Sequence, residues 1–122
     1  MKRKMTIGEK EYTFEITNRT VLKIDEVHGN AGTVFDGIVN ANQYYTNAIK
    51  LISCACIDKE WHISDNKKYE NLSPSEVAIN QISDEITGEQ LYYKLPGIAM
   101  NLILDYIGIN KTDNKEKNLK TN

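Results

Sequence analysis

Residues that could carry chemistry are thinly spread along this chain of 122 residues. Cys54 and Cys56 sit one residue apart, with His62 and Asp65 a short way downstream, and these residue types bind metals when geometry gathers four of them. The two cysteines fall inside the run NQYYTNAIKLISCACI (residues 42–57), whose apolar spacing is helical. On a helix, at about 100° per residue, positions two apart point roughly 200° apart. Cys54 and Cys56 are therefore expected neither to bridge each other nor to share a metal, and no second Cys/His pair completes a site. They read as small packing residues. His28, just before Gly29, reads as a surface histidine at the negative end of a helix dipole, without a nucleophile beside it. Gly29-Asn30-Ala31-Gly32-Thr33 suggests a phosphate loop, but it lacks the lysine of that motif and follows a helix where a strand is required. The carboxylates Asp25, Glu26, Asp36, Asp84 and Glu85 lie on polar helix faces or in loops, and Ser53 sits in no nucleophile motif. No catalytic residue, cofactor or metal is expected, and the chain reads as a protein that is not an enzyme.

The tyrosines are more informative. Tyr44, Tyr45, Tyr92, Tyr93 and Tyr106 fall on the two longest helical patterns, and adjacent tyrosines cannot all face one core. At least one of each adjacent pair is expected at the surface, where tyrosine suits protein contacts, the alternative being a half-buried tyrosine at the core edge. Tyr44, Tyr45, Tyr92 and Tyr93, with Leu51 between them in sequence, are the candidate partner-binding residues.

The elements that must position them follow from patterning. Residues 4–16 alternate apolar and polar on either side of Gly8-Glu9-Lys10, as in a β-hairpin, whose exposed edge is also a candidate for self-association. Thr17 or Asn18 can cap a first helix that runs to His28 with a stripe of Val21, Leu22, Ile24 and Val27. Val34, Phe35, Ile38 and Val39 make a short second helix expected to run almost directly into the central one near Asn40. In that central helix Tyr45, Ala48, Ile49, Ile52 and Cys56 share a face that Tyr44, Leu51 and Ala55 widen, leaving Gln43, Asn47 and Lys50 for water. A polar passage over residues 58–71 is anchored by Trp61, Ile63 and Tyr69. Ser73-Pro74-Ser75-Glu76 is a capping box with proline at the first helical position, and Thr87 with Gln90 forms a second, weaker box. The last helix spans residues 88–107, where Pro96 should kink or split it, and Gly108 stops it. Residues 109–122 read as a disordered polar tail. The fold class is mainly α with a small N-terminal β-hairpin, a compact bundle of about five helices around a central apolar helix, as one domain over residues 1–108.

Bulk properties exclude several classes. A net charge of −2 lacks the electrostatic footprint of a nucleic-acid binder, and the basic residues at either end form only short clusters. No window approaches the ~18 apolar residues of a membrane span, and MKRKMTIGEKEYTF is too polar for a secretory signal. A reduced, cytoplasmic protein is expected.

Taken in order, the hairpin segment EYTFEITNRTVLKIDE, the central NAIKLISCACI and the helix start LSPSEVAINQI resemble the small tail assembly chaperones of long-tailed bacteriophages and prophages of Gram-positive hosts, over roughly residues 4–107. The resemblance implies a non-enzymatic factor of the host cytoplasm that binds the tape measure protein and keeps it soluble. Tail tube protein displaces it as the tube polymerises, and the mature virion lacks it. A groove rimmed by Tyr45 and Tyr93 would receive the tape measure segments. The alternative is a structural virion component, such as a tail completion or connector protein, and a third reading, a small DNA-binding regulator, is opposed by the acidic balance.

Overall fold

The computed structural model describes residues 1–110. Two strands, β1 (Arg3–Ile7) and β2 (Lys10–Phe14), precede five helices. These are α1 (Asn18–His28), α2 (Ala31–Val39), α3 (Tyr44–Ala55), α4 (Pro74–Glu85) and α5 (Leu95–Tyr106). A 3-10 turn at Lys67–Tyr69 precedes α4, and a π turn at Gln90–Lys94 leads into α5. The protein is thus mainly helical with one antiparallel N-terminal hairpin.

Helix α3 lies at the centre and packs against α1, α2, α4 and α5. Eight of its twelve residues, Asn47 through Ala55 except Lys50, are buried. Asn47, expected to face water, is one of them: its Nδ2 donates to the Asn42 carbonyl at 2.8 Å. That bond belongs to a turn that replaces the expected direct run from α2 into α3. Ala41 (φ 57°) and Gln43 (φ 47°) both take left-handed backbone there, a conformation uncommon for residues with a Cβ. The reversal lets α2 lie against α3 so closely that a Cβ on Gly37 would stand 2.7 Å from the Asn42 carbonyl oxygen. Only glycine fits at that contact.

The hairpin turns through Gly8 (φ 66°) and Glu9, with Ile7 paired to Lys10 and Arg3 to Phe14. Its period-two pattern puts Met5, Ile7, Tyr12 and Phe14 into the core. The outer edge of β2 is covered by the chain leaving α3. Glu15 N donates to Ala55 O at 3.0 Å, and Ile57 N to Thr13 O at 2.8 Å. Strand β1 is held at its start by Arg3, whose Nε and Nη2 reach the two oxygens of Asp105 on α5 at 2.6 and 2.9 Å. The Arg3 bonds hold the buried Asp105 carboxyl below its ordinary range.

The predicted caps are present. Thr17 and Thr20 bond reciprocally at the start of α1, and Ser73 with Glu76 at the start of α4. Helix α1 ends at Gly29 with φ 101°, a conformation that favours glycine. Two apolar residues, one expected in the α1 stripe and one expected as a loop anchor, are exposed. Leu22 is 67% exposed because α1 buries Thr20 and Ile24, one turn apart, on its inner face. Ile63 is 57% exposed, while its neighbour Trp61 is fully buried and meets Tyr12 edge to face at 5.3 Å. Pro96 neither breaks the last helix nor ends it: helical backbone runs from residue 88 to residue 106. The widened turn before it bonds Leu95 N to Gln90 O, five residues back, in the turn where the proline ring would otherwise press on a carbonyl. Ile109 and Asn110 are helical, and residues 111–122 of the expected tail lie outside the described residues.

Because Ile52 is fully buried at the centre of α3, Ile52→Ala should cost about 2–5 kcal/mol, the usual range for emptying a core site. Urea unfolding followed by circular dichroism measures it, with exposed Leu22→Ala as a near-neutral control.

Candidate functional site

The four candidate tyrosines come from two elements far apart in sequence and meet on the outside of the fold. Tyr44 and Tyr45 open α3, directly after the left-handed Gln43 that turns the chain into the helix. Tyr92 and Tyr93 occupy the π turn. Their rings form a continuous series. Tyr44 and Tyr45 meet edge to face at 5.5 Å, Tyr45 stacks on Tyr92 at 6.0 Å and 20°, and Tyr92 meets Tyr93 edge to face at 5.0 Å. These separations fall in the range where aromatic pairs attract.

Exposure rises along the series. Tyr44 is half-buried and donates its hydroxyl hydrogen to the Pro96 carbonyl at 3.1 Å, which ties the start of α3 to the start of α5. Burial, with Tyr45 beside it, raises its phenol pKa above the ordinary value. Tyr45 is 38% exposed, Tyr92 60% and Tyr93 74%. Tyr44 thus takes the core-edge role and the other three form the surface. Leu51 does not belong to this set. It is fully buried two turns further along α3, on a helix enclosed by its neighbours, and cannot meet a partner in this fold. The ladder offers aromatic faces and phenol hydroxyls.

His28 was expected at the surface and is instead half-buried between two hydroxyls. Its Nδ1 lies 2.6 Å from Ser75 Oγ on α4 and its Nε2 lies 2.9 Å from Ser53 Oγ on α3. Ser53 Oγ also donates to the Lys50 carbonyl at 2.7 Å, so it accepts from Nε2–H, and Nδ1 accepts from Ser75. The imidazole is thereby fixed as one neutral tautomer joining three helices. Burial, then the positive charge of Lys50 and the proximity of His62, lower its pKa from 6.5 to about 4. The arrangement does not make a nucleophile: Ser53 is buried, with its own proton committed to a carbonyl, and among the described residues both ring nitrogens bond hydroxyls and no carboxylate. Sequence alone hid this bridge because Ser53 and Ser75 are far from His28 in the chain, and no local pattern marks polar groups that will share a buried bond.

The two cysteines are free, with Cys54 buried and its thiol pKa pushed up by that burial. Helix α3 ends at Ala55, so the phase argument does not reach Cys56, which takes extended backbone and bridges to Phe14. Among the described residues no group of three or more His, Cys, Asp or Glu is placed to hold a metal ion. No helix among them is long and apolar enough to cross a membrane.

The depressed His28 pKa sets a pH dependence. Between pH 6.5 and about 4 the unfolded chain takes up a proton that the folded chain refuses. The contribution of His28 to stability is therefore complete above pH 6.5 and is lost as pH falls towards 4. NMR titration of the ring should give a midpoint well below 6, and His28→Gln should flatten that part of the stability profile. Comparison with known proteins finds no family model, no curated protein and no solved structure that matches this chain.

Proposed function

We propose that this chain is a tail assembly chaperone of a long-tailed phage or prophage. In this reading it binds the tape measure protein through Tyr45, Tyr92 and Tyr93 and keeps it soluble while the tail tube assembles. The observation that carries the reading is the ladder itself, three exposed, mutually stacked tyrosines joining the start of α3 to the π turn. A tyrosine has few rotatable bonds, so a pre-stacked set offers apolar contact area at low entropic cost. Its hydroxyls keep the surface hydrated when free, which suits an assembly factor that must hold an apolar helix and then release it. The resemblance of EYTFEITNRTVLKIDE and LSPSEVAINQI to the tail chaperones supports the same reading.

Co-expression with a tape measure protein of the same phage or prophage tests it. The partner should be soluble with this chain and aggregate without it. Tyr92→Ala or Tyr93→Ala should each weaken the complex by about 1–2 kcal/mol, roughly 5–30-fold in Kd, by titration calorimetry. A tape measure protein equally soluble alone would end the proposal. So would stoichiometric recovery of this chain in purified virions, which is the behaviour of a structural component.

A further inference from the structure

A second surface lies on the other side of the π turn. Among the described residues strand β1 pairs only with β2, which leaves its second edge open. Ile7 and Lys10 flank a two-residue turn and exchange ladder bonds, and so do Met5 with Tyr12 and Arg3 with Phe14. Lys4 and Thr6 lie between those pairs, so their N–H and C=O groups point outward along the open edge. Gly8 shares that direction, and its groups are already taken. The Gln90 carboxamide accepts from Gly8 N at 2.8 Å and donates to Gly8 O at 3.0 Å, pairing with it as the next strand would.

The open edge does not face bulk water alone. A groove of about 770 Å³ runs between β1 and the helical segment opposite, walled by Thr87, Gln90, Lys94, Ile98 and Asn101. Its charged lining is four basic side chains, Lys2, Arg3, Lys4 and Lys94, against two acidic ones, Glu11 and Glu89. This is a local basic surplus on a chain of net charge −2. Arg3 is committed to Asp105, and Lys4 meets Glu11 only at 3.8 Å with both side chains mostly exposed. Lys2 and Lys94 form no ion pair among the described residues.

From this geometry we propose that the β1 edge is a docking site for an extended, acidic segment of a partner protein, which adds as a third strand. Backbone bonds to Lys4 and Thr6 supply affinity, as in other strand additions, and the lysines select the charge. Gln90 closes the ladder at the hairpin end and sets the register. A second copy of this chain fits poorly, because its β1 would bring the same basic residues, Lys2, Arg3 and Lys4, to a groove that already has a basic surplus. The site is separate from the tyrosine ladder and stands independently of the function proposed above.

The test uses the full chain and an acetylated, amidated peptide of about eight residues, a usual strand length, alternating valine with glutamate; its lysine counterpart is the control. By NMR hydrogen exchange, the acidic peptide should slow the Lys4 and Thr6 amides at least tenfold, and the lysine peptide should not. Thr6→Pro removes an outward N–H and no internal bond, so it should abolish binding with an unchanged melting temperature. Should that variant fail to fold, Lys4→Glu combined with Lys94→Glu serves instead, and it should reverse the preference between the two peptides. Absence of protection by the acidic peptide would overturn the proposal. Equal binding of both peptides, or concentration-dependent dimers with Lys4 and Thr6 already protected, would overturn it too.

Discussion

The enclosure of α3 is the constraint on which the other features depend. A helix in contact with four others has almost no face left for polar side chains, and those that remain must find partners inside the protein. Asn47 satisfies this by bonding the Asn42 carbonyl, and Ser53 by bonding Lys50 and His28. The same enclosure dictates the tight α2–α3 turn. Reaching the central position so soon after α2 takes two left-handed residues and a glycine at the contact. The strain sits in Ala41 and Gln43 and is offset by the apolar area that α3 buries on every side.

Enclosure also explains where a binding surface can lie. With the middle of α3 closed except at Lys50, its first turn is the part that opens to solvent, and that turn carries Tyr44 and Tyr45. The partner tyrosines come from the one irregular stretch of the last helix. A regular α turn before Pro96 would set its ring against a backbone carbonyl, and the π turn relieves this while placing Tyr92 and Tyr93 outward. A local defect required by proline chemistry is thus also what supplies half of the ladder.

Much of this was legible in the sequence, and the limits have physical causes. The caps at Thr17 and Ser73 and the hairpin alternation were readable because each rests on interactions within a few residues, and the central position of residues 42–57 because that run has apolar residues on more than one helical face. Adjacent tyrosines also implied surface exposure from helical phase alone. Leu51 was placed in the binding set although periodicity cannot tell a helix with one covered face from one covered all round. His28 was misplaced for a related reason: its hydroxyl partners are supplied by α3 and α4, and only the folded chain brings them to it. The exposure of Leu22 and burial of Thr20 follow from the exact roll of α1 on its neighbours, which the cap does not set.

The Arg3–Asp105 pair shows how such tertiary choices propagate. It joins the first residue of β1 to the far end of α5, with Asp105 itself buried. Arg3 is the first of the groups that hold the Asp105 carboxyl ionised, with Asn110 beside it, and Arg3 cannot reach it unless β1 lies along the last helix. Gln90 repeats the arrangement at the other end of the strand by bonding Gly8. Strand β1 is therefore pinned at both ends to the segment running from the π turn through α5, and its middle, at Lys4 and Thr6, spans the groove without a strand partner on that side among the described residues. Two end attachments fix the spacing between strand and helix, so the width of the groove is a property of the folded core and does not depend on its being filled. A surface held in this way meets an incoming strand with its geometry already set, which lowers the entropic cost of adding one.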